Sequence, residues 1–207
     1  MLQKKLIDAA LHQYALHGYH GATMRKIAAE VEIKPASIYF FYRNKEELFI
    51  AAFKQLLDNH FRKMESILEE NKDKPVEQIL TAMFEGIASH HKGDIQGTNA
   101  YISLVTSPIP EITKYLYSHM LRYNEWLVDA LGSILTASYP AMLPREIDRV
   151  IKQFVLIGNG IFWGIKLYND EDFEEQVVLA SKIIHALFDE INKEYSEKKD
   201  SVESKER

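Results

Sequence analysis

The sequence predicts an all-α fold of two helical units that share a long connecting helix. Apolar residues recur every three or four positions along most of the chain, which is the period of an amphipathic helix. Glycine and proline are sparse, at 9 and 6 of 207 residues, and fall largely between these segments. No stretch alternates apolar and polar residues for long enough to predict a strand. A chain of this length corresponds to one or two domains.

Three helices are predicted at the N-terminus. The first runs from about Gln3 to His17 and stops at Gly18. The second begins after Thr23, whose hydroxyl makes it a good N-cap. A turn of three residues separates it from Pro35, whose fixed φ suits the first position of a short third helix that ends near Tyr42.

Longer helices are predicted over the rest of the chain. Asn44 caps the fourth, and Glu47 reaches back to it as in a capping box, before the helix runs on to about Asn71. Pro75 opens a fifth helix, which ends near Lys92. Further helices are expected as one short helix within 94–110, then over 112–137, 144–168 and 170–195.

This pattern predicts an N-terminal three-helix helix-turn-helix domain joined to a helical bundle. The expected boundaries are 1–46 for the first domain, 47–195 for the bundle, and 196–207 for a charged, disordered tail. Residues 1–50 carry a formal charge of +2, whereas the remainder carries −7. Any contact with nucleic acid is therefore expected to be local and N-terminal.

Composition and spacing argue against several classes of protein. No run of apolar residues approaches the roughly 18 that span a membrane, and Met1–Ala10 does not resemble an export signal. The absence of cysteine excludes disulfides and thiolate metal sites, and the chain is expected to be cytoplasmic. His90 and His91 point about 100° apart on a helix, which favours surface or polar-core histidines over a metal site. We find no catalytic pair and expect neither an enzyme nor a cofactor.

The motif that carries function is the pair of helices around the turn at residues 32–34. The stretch LIDAALHQYALHGYHGATMRKIAAEVEIKPASIYFFYRNKEELF, from Leu6 to Phe49, resembles the N-terminal domain of the TetR family of transcription repressors. The matching features, at the family's spacing, are Ala9-Ala10, Gly18, Thr23, Ile27-Ala28, Ile33, Tyr39, Tyr42, Lys45-Glu46 and Leu48. Glu32 departs from the pattern, since the family usually places glycine there, and a positive φ would cost this residue about 1 kcal/mol.

The resemblance implies double-stranded DNA as a partner, and side-chain chemistry gives the expected contacts. Thr23 at a helix N-terminus suits a phosphate, and the guanidinium of Arg25 suits guanine; a plain N-cap and a solvated arginine are the alternatives. Lys45 is expected on a phosphate, with a solvated lysine as the alternative. Phe41 stands where family members often carry histidine, so apolar contact with sugar or a thymine methyl replaces a phosphate bond. The predicted DNA-contact residues are Thr23, Arg25, Lys34, Pro35, Ala36, Ser37, Tyr39, Phe40, Phe41 and Lys45.

The bundle is expected to supply a two-fold interface, because reading a palindrome needs two copies of the motif. The last two helices are the candidates, since residues 147–167 are apolar almost all round. The predicted interface residues are Phe154, Gly158, Ile161, Val177, Ala180, Ile184 and Leu187. A pocket for a small-molecule effector is expected among Tyr101, Tyr123, Trp126, Asn159, Phe162 and Trp163, with ordinary core as the alternative for each.

Two functions therefore remain open from the sequence. The first is a homodimeric repressor that an apolar or aromatic effector releases from a palindromic operator. The second is a helix-turn-helix protein-interaction module that uses Phe40 and Phe41 to bind a partner protein and binds no operator. Salt-sensitive binding to duplex DNA distinguishes them.

Overall fold

The computed structural model describes residues 2–106 and 109–203, apart from the side chains of residue 111 and residues 196–203. Within these residues the chain forms nine helices and no strand, so the all-α prediction is confirmed. The helices are α1 (Leu2–Gly21), α2 (Met24–Glu30), α3 (Pro35–Ile38), α4 (Lys45–Asn71), α5 (Val76–Gly93), α6 (Ile95–Thr106), α7 (Pro110–Ser138), α8 (Pro144–Leu167) and α9 (Asp170–Glu203).

Two predicted helix ends need correction, whereas the predicted end of the first helix is confirmed. Gly18 has a non-helical backbone with a φ of 64°, so the regular part of α1 ends there, and only a short helical turn continues beyond this kink to Gly21. α3 is only four residues long and ends at Ile38, after which residues 39–41 form turns. α9 extends past Tyr195 to Glu203, because the added residues contain neither glycine nor proline and are rich in lysine and glutamate, which favour helix.

The first of two compact units comprises Met1–Lys63 and His90–Asn124. α1 packs against α6 and α2, and α2 packs against α3. The core continues without a break from the first three helices into α4, α6 and α7, through side chains such as Phe53, Leu104 and Leu116. This compact unit therefore contains more residues than the predicted first domain, 1–46. The predicted domain boundary after residue 46 stays a prediction.

The second compact unit comprises Met64–Ser89 and Glu125–Arg207. α8 packs against α9, and the ring of Phe154 stacks on Phe84 with centroids 4.7 Å apart. Residues such as Val150, Ile161 and Phe188 are buried in this core. Burial of these apolar side chains is the main source of the unit's stability.

One helix within the described part of the chain, α8, is long and apolar enough by length and composition to cross a membrane. The expectation that no apolar stretch approaches such a length is therefore corrected. The side chains of Val150, Phe154 and Ile161 on this helix are buried inside the second unit. A core helix of a globular protein meets the same criterion, so this finding is weak evidence for a membrane span.

Candidate nucleic-acid interface

The turn between α2 and α3 closes with two backbone hydrogen bonds. The N–H of Ile33 donates to Ala28 O at 2.9 Å, and the N–H of Glu32 donates to Ala29 O at 3.1 Å, which is the Schellman pattern of a helix C-terminus. Glu32 adopts a φ of 59°, the left-handed conformation that this pattern requires. The non-glycine residue therefore carries the strain that the sequence predicted, and the turn keeps its geometry.

The start of α2 places two predicted contact residues on the surface. Thr23 caps the helix, since its Oγ1 accepts a hydrogen bond from Lys26 N at 3.3 Å. Thr23 and Arg25 are both exposed. The capping role of Thr23 is confirmed, while phosphate contact by Thr23 and base contact by Arg25 stay predictions.

α3 lies on the surface of the first unit. Ile38 and Tyr42 are buried and attach it to the core. The opposite side, formed by Lys34, Pro35 and Ala36, is exposed, with Ser37 half-buried at its edge. The short helix is thus held from one side, and its leading end is open to a partner molecule.

Three aromatic residues follow α3 and remain exposed. Phe40 is 88% exposed, Tyr39 53% and Phe41 41%. Exposure of this much aromatic surface in one place is characteristic of an interaction site. These rings lie directly after the exposed side of α3, so the two features form one continuous stretch of sequence.

Lys45 has a structural contact that the sequence did not reveal. Its ammonium donates to the backbone carbonyl of Tyr19 and lies 4.3 Å from the centroid of that ring, which is a cation–π arrangement. Burial lowers the pKa of Lys45. Lys45 therefore fastens α4 to the end of α1, and it is not a plain solvated lysine.

The predicted capping box of α4 forms in a shifted version. Asn44 Oδ1 accepts from Glu47 N at 2.8 Å, as expected. Glu47, however, accepts from the backbone N–H of Arg43 at 2.8 Å and from its Nε at 3.1 Å, instead of reaching Asn44. These bonds from Arg43 lower the pKa of the Glu47 carboxyl. Arg43, which no sequence pattern singled out, adds an exposed cation between the aromatic residues and α4.

The six residues predicted to line a pocket fall into both units. Tyr101 and Tyr123 belong to the first unit, and burial raises the pKa of both hydroxyls. The other four belong to the second unit, where Asn159 and Trp163 are exposed and Trp126 and Phe162 are half-buried. Their grouping into one pocket stays a prediction.

The structure gives His90 and His91 different environments. His91 is 6% exposed and its Nδ1 lies 3.0 Å from Thr98 Oγ1, whereas His90 is half-buried. Among the described residues, no three acidic or histidine side chains are arranged to hold a metal ion. His91 is thus a polar-core histidine, one of the two expected environments.

Most of the predicted interface residues on α8 and α9 are buried within their own chain, and their place in a dimer interface stays a prediction. Six of them are enclosed within a single chain, and Leu187 is half-buried. The six are Phe154, Gly158, Ile161, Val177, Ala180 and Ile184. They face the core of their own unit, because an amphipathic helix turns its most regular apolar face inward. Other apolar side chains of the same helices are exposed: Leu156, Trp163 and Leu167 on α8, and Val178, Leu179 and Ile183 on α9.

Comparison with known proteins identifies the N-terminal region. Residues 6–52 match the model of the family described as bacterial regulatory proteins, tetR family. The chain is 30% identical over 90 residues to the fatty acid metabolism regulator protein of Bacillus subtilis, an alignment that covers 42% of this chain and only 46% of that protein. It is 27% identical over 156 residues to the biofilm operon regulator IcaR of Staphylococcus epidermidis, covering 74% of this chain and 80% of that one.

Solved structures share the fold across most of the chain. FadR from Bacillus subtilis in complex with stearoyl-CoA superposes with a TM-score of 0.65 and 21% identity, covering 89% of this chain and 96% of that one. FadR from Bacillus halodurans gives a TM-score of 0.66 with 20% identity, covering 87% and 96%. Identities this low establish the fold and leave the effector to be argued from this chain's own residues.

Proposed function

We propose that this chain, whose residues 6–52 belong to the TetR family of bacterial regulatory proteins, is a homodimeric repressor that an apolar or aromatic effector releases from a palindromic operator. It is a DNA-binding transcription regulator, and regulators of this family are transcription factors and not enzymes. The observation that carries the proposal is the exposed leading end of α3, formed by Lys34, Pro35 and Ala36 and held from behind by Ile38. Operator binding also implies a cytoplasmic location.

The proposed contacts divide into positioning and reading. Thr23 and Lys45 bind phosphates from the N-terminal ends of α2 and α4, where exposed N–H groups favour an anion. Arg25 reads guanine, and Tyr39 and Phe41 contact sugars or thymine methyl groups. The ammonium of Lys45 also donates a hydrogen bond to the backbone carbonyl of Tyr19, so its position is fixed before it binds a phosphate.

A second copy of the chain is the proposed occupant of the exposed apolar faces of α8 and α9. Leu156, Gly160, Trp163 and Leu167 recur at helical spacing along one side of α8. A Cβ added at Gly160 would meet none of the described atoms within 4 Å outside its own stretch of helix. The glycine is therefore not required by the protomer's own packing, which supports close approach of a partner helix. Two-fold pairing then presents two copies of α3 about one turn of DNA apart.

Effector binding is proposed to shift α4 and so change the separation of the two copies of α3. A coupling of about 1 to 3 kcal/mol between effector and operator is enough for regulation. One structural relative is a complex with stearoyl-CoA, which supports an apolar effector for this chain as well.

Selection of bound duplexes from a random pool, repeated at several salt concentrations, tests the proposal. A palindromic consensus should emerge, and affinity should fall steeply with salt because bound phosphates release counterions. Arg25→Ala should relax the preference at one base pair, whereas Lys34→Ala should weaken all duplexes alike and lower the salt slope by about one unit. Lys182→Ala, on the exposed surface of α9, is the matched control. Unchanged duplex binding by both Arg25→Ala and Lys34→Ala would contradict the proposed DNA-contact surface.

A protein-interaction module is the second candidate, and the 88% exposure of Phe40 favours it. An aromatic ring of this kind could anchor a protein partner as well as a base. In that case no duplex in the pool would bind in a salt-sensitive way. Phe40→Ala would then leave duplex binding unchanged and abolish binding of the partner protein.

A further inference from the structure

Four imidazole rings from three helices lie close together in the first unit. The centroid of His60, on α4, is 5.3 Å from that of His90 and 5.0 Å from that of His91, and these two α5 residues are themselves 5.0 Å apart. Phe61 extends the group to His119 of α7, at 6.0 Å between centroids. We call His60, His90, His91 and His119 the histidine cluster. None of them belongs to the proposed DNA-contact surface.

Hydrogen bonding fixes the protonation of His91. The hydroxyl of Thr98 donates its single hydrogen to the backbone carbonyl of His91 at 3.0 Å. The 3.0 Å contact between Thr98 Oγ1 and His91 Nδ1 therefore needs a hydrogen on Nδ1. Burial also lowers the pKa of His91 to about 3, so the ring is neutral at pH 7 with its hydrogen on Nδ1.

His60 is the member of the cluster with an unmet requirement. Its Nδ1 is enclosed and has no hydrogen-bond partner among the described residues. An enclosed polar atom without a partner costs free energy, which a bound group can recover. Burial and the neighbouring imidazoles lower the pKa of His60 to about 3, so this ring is also neutral at pH 7.

Both carboxylates near the cluster already have partners. Asp58 of α4 lies 3.7 Å from both His119 Nδ1 and Arg122 Nη2 of α7. Burial lowers the pKa of His90, an effect that nearby Asp94 opposes and Lys63 of α4 reinforces. Asp94 also accepts a hydrogen bond from Gly97 N at 2.8 Å. A cationic ligand would therefore find these carboxylates already bonded or paired with other groups. Protonated imidazoles would in addition repel it. An anionic group, in contrast, would favour a protonated imidazole.

We propose that the histidine cluster is an effector site for an apolar organic acid, bound together with one proton. The acid arrives from neutral solution as a carboxylate and the proton comes from solvent. In the complex this proton lies between a carboxylate oxygen and His60 Nδ1, which supplies the missing hydrogen bond. The inference rests on the effector-regulated function proposed above, and it names the chemical class of the effector.

The surroundings of His60 fit the apolar part of such an acid. The rings of Phe61 and Tyr123 lie 5.4 Å apart, and Tyr123 is 5.5 Å from His60 between centroids. His90 is half-buried, so the cluster reaches solvent near the end of α5. A ligand with a carboxyl head and an apolar body therefore matches both the polar and the aromatic side chains of this region.

Calorimetric titration of the full chain with decanoate tests the inference, with 1-decanol as the neutral probe of equal length. Titrations in phosphate and in Tris at pH 7 give the number of protons taken up, because the two buffers ionise with different enthalpies. We expect about one proton per decanoate, and a dissociation constant that rises about tenfold per pH unit between pH 7 and pH 8. His60→Gln should abolish proton uptake and weaken decanoate binding at least tenfold, while His185→Gln on α9 should change neither.

Three results would overturn the site. They are no decanoate binding at millimolar concentration, binding without proton uptake, and equal binding by wild type and His60→Gln. If His60→Gln does not fold, the proton count of the wild-type chain still decides. Duplex binding by the same preparation is scored separately, so intact DNA binding without decanoate binding rejects the acid site and leaves the proposed repressor function standing.

Discussion

Replacing Glu32 by glycine should stabilise this protein, although it removes a side chain from the central turn of the motif. The φ of 59° places Glu32 in the left-handed region, which costs an L-residue about 1–2 kcal/mol. Glycine avoids that cost but loses roughly 0.5–1 kcal/mol through the greater freedom of the unfolded chain. The net expectation for Glu32→Gly is a gain of about 0.5–1 kcal/mol in the free energy of unfolding.

Chemical denaturation at pH 7, followed by circular dichroism, measures this gain directly. The matched control is Ala29→Gly, three residues earlier on the exposed side of α2, which should lose about 1 kcal/mol because its backbone is right-handed helix. The two glycine substitutions thus have opposite expected signs. Destabilisation of both variants to a similar extent would refute the assignment of strain to Glu32.

Three further predictions concern the buried histidines, Lys45 and the proposed dimer interface. Lowering the pH from 7 to 5 should reduce the free energy of unfolding by about 2 kcal/mol for each of His60 and His91. The unfolded chain protonates these histidines near pH 6.5, whereas in the folded chain their pKa is about 3. Denaturant titrations at both pH values measure the loss, and His60→Gln should remove about half of it. Lys45→Ala should lower stability by about 1 kcal/mol through loss of the cation–π contact with Tyr19, measured as a lower Tm, and weaken binding to all duplexes alike. Leu179→Glu, on the exposed face of α9, should convert the proposed dimer to a monomer in sedimentation measurements, because the two-fold axis would bury two charges. Leu121→Glu, at an exposed position of the first unit, should leave the dimer intact. A dimer that persists in both variants would contradict the proposed interface.

The sequence predicted the helix-turn-helix well because its signals are local. The cap at Thr23, the left-handed residue at Glu32 and the fixed φ of Pro35 each depend on a few neighbouring residues. The shifted capping box of α4 shows the limit of such signals. Which N–H the carboxylate of Glu47 reaches depends on the backbone course through Arg43, and a spacing pattern does not encode that choice.

Features that depend on tertiary packing were harder to predict. Apolar residues of α8 occur outside its buried face as well as on it, so its sequence alone could not separate Phe154, which packs inside the protomer, from Leu156, which is exposed. The histidine cluster was missed for a similar reason. His90 and His91 diverge on their own helix, and they gain a common neighbour only because α5 packs beside His60 of α4.

The mass of the complex between the full chain and a selected palindromic duplex tests the central claim most directly. Sedimentation equilibrium at low salt should give two chains per duplex, and the complex should dissociate as salt rises, with half-sites centred about 10 base pairs apart. A single chain per duplex would contradict two-fold reading by α3. Failure to form any salt-sensitive complex would contradict the assignment of the exposed side of α3 to DNA.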